Sequence, residues 1–180
     1  METFCAERGL NGIFRRNVES YFLEYASRLS DHAKAANRPV IIGLNGAQGS
    51  GKSTLSELLA EVLPKIFEVD CKVISIDDFY LTKSQRQKLG ASIHPLMATR
   101  GVPGTHDCSR LANVLDACAS FSSAEIAVPV FDKLRDDRTR KVQKIKIGAN
   151  PTVILFEGWC VGIPPQASLG LAVLASSFEC

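Results

Sequence analysis

The fold is decided by the stretch GLNGAQGSGKSTL, residues 43–55, in which Gly46 is followed after four residues by Gly51, Lys52 and Ser53. This spacing is the GxxxxGK[ST] pattern of loops that bind phosphate groups. The loop follows the apolar run PVII, which indicates a buried strand, and precedes LSELLAEVL, whose leucines recur at helical spacing. A flexible linker that matches the pattern by chance is the alternative. Because a phosphate loop requires a strand before it and a helix after it, the sequence predicts a phosphate site here.

Each residue type in the loop has a physical role in holding phosphate. Glycines let successive backbone amides turn toward an anion without a Cβ clash, and the following helix directs its positive end to the same place. Lys52 supplies a mobile cation for the β- and γ-phosphates, and the Ser53 hydroxyl is a hard oxygen ligand suited to Mg²⁺. We predict that the nucleotide is bound by Gly46, Ala47, Gln48, Gly49, Ser50, Gly51, Lys52, Ser53 and Thr54.

The order of the predicted elements indicates an α/β fold with a mainly parallel sheet, because strands and helices alternate along the chain. Central strands are predicted at residues 38–45, 72–76 and 151–157, helices at 17–30, 53–63 and 107–119, and an edge strand at 141–148. The second helix is expected to end before Pro64, and the polar stretch 83–105 is expected to be a long functional loop with some helix. Ligands of such sheets bind beyond the carboxyl ends of the strands.

Acidic residues close two of the three predicted central strands. Asp77 and Asp78 follow one strand, and Glu157 ends another. Phosphoryl transfer to a hydroxyl needs a base near the acceptor and an acid that holds the metal. For the aspartates, turn or helix-cap chemistry is an equal alternative. For Glu157 a metal role, direct or through water, is favoured over that of a solvent-facing loop acid.

The composition excludes several classes of protein. The 180 residues suit one domain, and a hydrophobic fraction of 46% with 22% charged residues excludes a disordered chain. The net charge of +2 gives no reason to expect nucleic acid or membrane partners. Six cysteines without a CxxC pair are typical of reduced thiols, and no secretory signal is recognised, so we expect a cytoplasmic protein. The oligomeric state is not predicted.

Five motifs together resemble a known family: GLNGAQGSGKSTL, ISIDDFYLT, RGVPGTHD, PVFDKLRDDR and ILFEGWCVG. They are similar in type and order to those of the P-loop kinases of the phosphoribulokinase, uridine kinase and pantothenate kinase superfamily. The D-glycerate 3-kinase-like branch is the most similar, over roughly residues 40 to 163. The resemblance implies a three-layer P-loop NTPase fold, ATP and Mg²⁺ as cofactors, and phosphoryl transfer to a hydroxyl of a small metabolite, with D-glycerate the leading acceptor.

The resemblance also implies residue roles. Lys52, Asp77 and Glu157 would be catalytic, Asp77 as the general base, with Ser53 and Glu157 as metal ligands. The residues implied to bind the acceptor are Asp77, Tyr80, Arg100, His106, Asp132, Arg135 and Arg138. Core packing is the alternative for Tyr80, and a polar loop position is the alternative for His106. The run from 132 to 146 holds seven basic and three acidic residues, and the alternative for its arginines is a solvated face.

The chain departs from the family after EGWCVG. The family continues with further strands, a basic lid and an adenine-packing segment, which implies that the C-terminal strands and the lid are missing here. We therefore predict one kinase-like domain over residues 1–180, comprising an N-terminal helical segment (1–38), a core (39–163) and an atypical tail (164–180). The alternative function is a truncated nucleotide-binding module with little or no kinase activity. A GTPase switch is disfavoured, because NKxD and DxxG segments are lacking.

Overall fold

The computed structural model describes residues 2–9, 11–120 and 125–164, so the predicted tail lies outside the described residues apart from Pro164. The described helices are α1 (Glu2–Glu7), α2 (Gly12–Asn17), α3 (Leu23–Ala35), α4 (Lys52–Phe67), α5 (Lys83–Ser92) and α6 (Cys108–Ala119). A π-helical turn spans Val18–Phe22, and 3₁₀ turns span Ile76–Phe79 and Pro95–Ala98. The described strands are β1 (Val40–Asn45), β2 (Asp70–Ser75), β3 (Ile126–Asp132), β4 (Asp137–Ile145) and β5 (Thr152–Gly158).

The main sheet is parallel and has the order β1-β5-β2 within the described residues. Leu155 of β5 lies opposite Ile42 of β1 on one side and Val73 of β2 on the other. The predicted α/β class with a parallel sheet is therefore confirmed. All three strands were expected to be central, whereas β5 alone has a described strand on both sides. Parallel pairing brings the carboxyl ends of the three strands to one edge of the sheet.

The sheet is covered on both faces, which gives three layers. Alternate residues of β5 separate the two cores, because successive side chains of a strand point to opposite faces. Val153 and Leu155 pack in the core that contains α3 and α4, while Ile154 packs in the core that contains α6, β3 and β4. Burial on both faces explains why PTVILFEG is a continuous apolar run.

The helix that follows the phosphate loop is longer than predicted. Pro64 lies inside α4, which continues to Phe67, so the expected end before Pro64 was wrong. A proline inside a helix removes one backbone hydrogen bond. Burial of Leu63 and Val62 in the core opposes that loss and holds the last turn on the sheet. The helix ends at Glu68, whose left-handed φ of 55° lets its N–H donate to the Leu63 carbonyl.

A second, two-stranded sheet is formed by the antiparallel hairpin β3–β4. The strand predicted at 141–148 overlaps β4, which begins earlier, at Asp137, and ends earlier, at Ile145. The partner strand β3 was not predicted, because Pro129 interrupts its pattern and the pairing register shifts between Pro129 and Phe131. The hairpin covers one face of the main sheet, with Ile126, Val128 and Ile145 in the core.

No helix within the described ranges is long and apolar enough to cross a membrane.

Candidate active site

The phosphate loop connects the end of β1 to the first turn of α4. Gly49 and Gly51 have φ values of 75° and 86°, in the left-handed region that favours glycine. A Cβ atom at Gly46 would lie 2.8 Å from Ser50 Oγ and 3.3 Å from Lys52 Cγ, so any other residue there would displace the side chains of the loop. The loop has the backbone turn and the following helix that a phosphate site needs, as the sequence predicts.

Lys52 and Ser53 begin α4 and lie at the mouth of the loop. The Lys52 ammonium donates to the Ala47 carbonyl, at 2.7 Å, so the side chain folds back over the loop. The Ser53 hydroxyl donates to both carboxylate oxygens of Glu157, at 3.2 Å and 3.3 Å. This contact joins the start of the helix to the end of β5.

The Ser53–Glu157 pair fits a magnesium ion. A serine hydroxyl and a carboxylate are hard oxygen donors, and Mg²⁺ is usually held by one or two such groups together with water and substrate phosphates. Glu157 is only 8% exposed, which keeps its carboxylate at the base of the site. Among the residues that the structure describes, no group of three or more His, Cys, Asp or Glu side chains could hold a metal.

A cavity of about 440 Å³ brings the loop together with the acidic strand ends. The volume lies within the range of roughly 300–1,000 Å³ that is usual for small-molecule sites. Its lining residues come from the phosphate loop and the start of α4, the carboxyl ends of β2 and β5 with the residues that follow them, the segment at 100–101, and the hairpin. They are Gln48, Gly49, Lys52, Ser53, Ser75, Asp77, Tyr80, Arg100, Gly101, Lys133, Glu157, Gly158 and Trp159.

The two aspartates that follow β2 make different contacts. The turn that holds them begins where the Ser75 hydroxyl accepts the Asp77 N–H. Asp77 lines the cavity and pairs with the Lys133 ammonium at 2.7 Å. Asp78 instead accepts the backbone N–H of Phe131 at 3.0 Å, which ties the turn to the hairpin, and burial raises the pKa of its carboxyl group. From the sequence, catalytic chemistry and turn or helix-cap chemistry were equal alternatives for both aspartates. In the structure Asp77 faces the cavity, whereas Asp78 stabilises the fold.

Tyr80 forms a wall of the cavity and is supported from behind by His106. The two rings stack with centroids 4.1 Å apart, and their backbones form an isolated antiparallel bridge. Burial, reinforced by the nearby negative charge of Asp77, raises the pKa of the Tyr80 hydroxyl. Burial lowers the pKa of His106, whose Nε2 atom is buried without a hydrogen bond. Tyr80 thus lines the cavity, while His106 contacts the lining residue.

Of the predicted acceptor residues, Asp132, Arg135 and Arg138 of the run 132–146 lie outside the cavity lining. Arg100 lines the cavity and donates to the Lys133 carbonyl at 2.9 Å. Arg138 donates to Asp107 at 3.2 Å and to the Tyr80 carbonyl at 2.8 Å, and so braces the Tyr80 wall. Asp132 accepts the backbone N–H groups of Leu134 and Arg135 in the hairpin turn. The side chain of Arg135 is 83% exposed.

Five of the residues that line the cavity are absent from the predicted site residues, namely Ser75, Gly101, Lys133, Gly158 and Trp159. Lys133 is the basic residue of the hairpin that reaches Asp77, whereas the sequence favoured Arg135 and Arg138. Its role depends on the hairpin turn, which is not visible in the sequence pattern. Trp159 follows Glu157 by two positions, directly after the carboxyl end of β5. Because ligands bind beyond the carboxyl ends of the strands, this position could have been predicted to line the site.

No family model matches the chain, but individual proteins do. It is 41% identical over 158 residues to "Uncharacterized kinase mug58" of Schizosaccharomyces pombe, covering 83% of this chain and 56% of that relative. It is 32% identical over 166 residues to "Probable ATP-dependent kinase TDA10" of Saccharomyces cerevisiae, with the same two coverages. A solved D-glycerate 3-kinase from Cryptococcus neoformans matches with a TM-score of 0.74 and 30% identity, over 88% of this chain and 59% of that one. The chain spans about half the length of the curated relatives it matches.

Proposed function

Because the homologues of this chain are kinases of the phosphoribulokinase, uridine kinase and pantothenate kinase superfamily, we propose that it binds ATP with Mg²⁺ and phosphorylates a hydroxyl of a small metabolite. One observation carries the proposal. A single cavity contains Lys52 and Ser53 of the phosphate loop together with Asp77 and Glu157 from the ends of two strands. Phosphoryl transfer needs these groups within reach of one γ-phosphate.

On the nucleotide side, the loop amides and Lys52 hold the polyphosphate of ATP. The Lys52 ammonium exchanges the Ala47 carbonyl, its present partner, for phosphate oxygens. Ser53 and Glu157, which contact each other, would hold Mg²⁺, and the bound ion would supply positive charge against the phosphates. These fixed positive groups stabilise the charge that develops as the bond between the γ-phosphorus and the bridging oxygen breaks and ADP leaves.

On the acceptor side, Asp77 takes the hydroxyl proton as the acceptor oxygen forms its bond to the γ-phosphorus. Lys133 pairs with Asp77 and keeps its carboxylate turned into the cavity. Lys133 and Arg100 also place two positive charges on the acceptor side of the cavity. An acceptor with a carboxylate group suits those charges, and D-glycerate is the leading candidate by similarity to the Cryptococcus enzyme.

In this proposal the other predicted acceptor residues do not contact the acceptor directly but position the residues that line the cavity. His106 stacks on Tyr80, and Arg138 holds the Tyr80 carbonyl, so both position the wall. Asp132 shapes the hairpin turn that carries Lys133. Arg135 has the most exposed side chain of this set, and its predicted contact with the acceptor needs movement of the turn.

A screen of acceptors tests the proposal. ADP release from ATP is measured by a coupled assay with D-glycerate, uridine and pantothenate as separate acceptors. We expect turnover with one acceptor, D-glycerate first, and loss of that turnover in Asp77→Asn. ADP release that is the same with and without every acceptor would contradict the kinase assignment.

Nucleotide binding without turnover is the second candidate function. The chain matches 56% of the length of the relatives named as kinases, so turnover by this chain is a proposal and nucleotide binding alone is kept as the alternative. Tight ATP binding combined with no turnover on any acceptor would support this candidate over the first.

A further inference from the structure

The turn between β3 and β4 carries a carboxylate that joins a buried guanidinium group to one in the active-site cavity. Asp136 accepts from Arg86 through Oδ2, at 2.8 Å, and from Arg100 through Oδ1, at 3.3 Å. The Arg86 side chain is fully buried, whereas Arg100 lines the cavity. We propose that Arg86 and Asp136 are positioning residues, which together hold Arg100 in place for an anionic group of the acceptor. The proposal rests on the proposed function and extends it to two residues outside the cavity lining.

The hairpin holds the Arg100 guanidinium by one nitrogen only. Both contacts use Nη1, which donates to the Lys133 carbonyl at 2.9 Å and to Asp136 Oδ1. A guanidinium group has five N–H donors, so three remain on Nη2 and Nε, without a hydrogen-bond partner among the residues that the structure describes. Two parallel N–H groups are what a carboxylate accepts in a bidentate pair. The hairpin therefore fixes the side chain and leaves free the donors that an anion needs.

The acceptor, rather than ATP, is the source of that anionic group. The Lys133 carbonyl holds Arg100, and the Lys133 ammonium pairs with Asp77, the proposed base, at 2.7 Å. Arg100 is thus bound to the residue that contacts the base. Asp77 acts on the acceptor hydroxyl, so an anionic group of the same molecule lies within reach of Arg100.

Arg86 lets Asp136 hold Arg100 without cancelling its charge. A carboxylate paired with Arg100 alone would neutralise that guanidinium group, and the pair would attract an anion weakly. The buried Arg86 shares the carboxylate and also donates to the Asp136 carbonyl, at 2.8 Å. Two guanidinium groups and one carboxylate keep a net charge of +1 beside the cavity. Because Arg86 is buried, salt and water screen its charge little.

The ring of Phe131 lies against both guanidinium groups. Its centroid is 5.4 Å from the central carbon of Arg86 and 5.9 Å from that of Arg100. Phe131 is buried, and its N–H donates to Asp78 in the turn after β2. Arg100 therefore rests on fixed neighbours. A long side chain that is already ordered loses less conformational entropy when it binds a ligand.

A double variant separates the positioning role from stability. Calorimetry on the full chain measures the dissociation constants of D-glycerate and of Mg-ATP. Asp136→Gly suits the left-handed φ of 54° and removes the carboxylate, so D-glycerate binding should weaken about tenfold and ATP binding should change less than twofold. Arg86→Met combined with Asp136→Gly leaves no buried charge without a partner, so it should resist urea better than Asp136→Gly alone. Its D-glycerate binding should remain about tenfold weaker than in the wild type, because Arg100 still lacks its carboxylate.

A double-mutant cycle tests whether Asp136 acts through Arg100. Arg100→Ala should weaken D-glycerate binding at least tenfold, and Asp136→Gly added to it should weaken binding less than twofold further. Lys141→Ala is the matched control, because it removes an exposed cation of the same hairpin that does not line the cavity. Both dissociation constants should stay within twofold of the wild type in this control.

The outcomes separate this proposal from the proposed function. Wild-type affinity for D-glycerate in the double variant of Arg86 and Asp136 would overturn the positioning role and leave the kinase proposal standing. Additive losses in the cycle would also overturn it. Weaker binding of ATP, with D-glycerate binding unchanged, in Asp136→Gly would assign Arg100 to the nucleotide and overturn the acceptor assignment. Failure of the wild type to bind D-glycerate would overturn this proposal, and turnover with another acceptor would then show that the kinase proposal survives.

Discussion

Asp77 and Asp78 are adjacent in the sequence, yet the fold gives them different environments. Asp77 lines the cavity beside Lys133, and Asp78 is engaged by the backbone of Phe131. The sequence alone gave equal weight to catalytic and turn chemistry for the pair. The contacts assign catalytic chemistry to Asp77 and turn chemistry to Asp78. The two adjacent carboxylates therefore form a matched pair for mutagenesis.

Asp77→Asn should lower the kinase turnover number by about 10²–10⁴, the usual contribution of a general base, because an amide cannot take the hydroxyl proton. The ATP dissociation constant should change less than twofold. Steady-state kinetics and calorimetry measure the two quantities. Asp78→Asn keeps an acceptor oxygen for the Phe131 N–H and should retain turnover within a few-fold. If the two variants lost turnover equally, Asp77 would have no special role.

The half-buried His106 makes stability depend on pH. Burial lowers its pKa below the ordinary value of about 6.5, so the folded protein binds fewer protons there than the unfolded chain. The contribution of this residue is therefore fully present above about pH 6.5 and is lost as the pH falls. His106→Phe keeps a ring on Tyr80 without a titrating group. Between pH 7.5 and pH 5.5, the free energy of unfolding measured with urea should fall more for the wild type than for His106→Phe. Equal falls in the two proteins would show that His106 does not cause the pH dependence.

The site residues that could be predicted from the sequence are those marked by the residues next to them in the chain. The loop from Gly46 to Ser53 is recognised by spacing alone, and Glu157 by its place at a strand end. Lys133 and the His106–Tyr80 stack depend on contacts between segments distant in the sequence, which no local pattern reports.

At the scale of elements, a buried ion pair joins α5 to the hairpin. The Arg86 side chain is fully buried, and its guanidinium donates at 2.8 Å to both the carboxylate and the carbonyl of Asp136, which is partly exposed. Asp136 occupies the hairpin turn with a φ of 54°. The hairpin also carries Lys133, so this pair supports the position of the cavity wall.

Substitutions of Asp136 and of Arg86 should lower the free energy of unfolding by different amounts. Asp136→Asn tolerates the left-handed turn but leaves a buried charge without its partner, so it should lower the free energy of unfolding by about 3 kcal/mol. Arg86→Met removes the buried charge itself and should cost less than half as much. Urea denaturation measures both.

The exposed pair Arg28–Glu24 supplies the control for this prediction. Glu24→Gln should change the free energy of unfolding by less than about 0.5 kcal/mol. A larger loss in Arg86→Met than in Asp136→Asn would show that the guanidinium contributes by packing rather than as a paired charge.

The elements predicted best from the sequence are α6, whose apolar residues recur at helical spacing, and β5, which is buried on both faces. The end of α4 was misplaced, because tertiary packing of Leu63 outweighs the local cost of Pro64. β3 was missed, because a proline and a register shift obscure the alternation of a strand that tertiary pairing supports.

At the scale of the whole molecule, three layers place the phosphate loop and both acidic strand ends on one edge of a parallel sheet. The chain corresponds to 56% of the length of the yeast relatives.

The central claim is that the backbone amides of residues 46–53 hold a triphosphate whose terminal group faces Asp77 and Glu157. A crystal structure with a non-hydrolysable ATP analogue and Mg²⁺ tests this claim most directly. The account predicts phosphates along the loop, Mg²⁺ beside Ser53 and Glu157, and the γ-phosphate in the cavity that Asp77 lines. A nucleotide bound elsewhere, with the loop empty at saturating concentration, would contradict it.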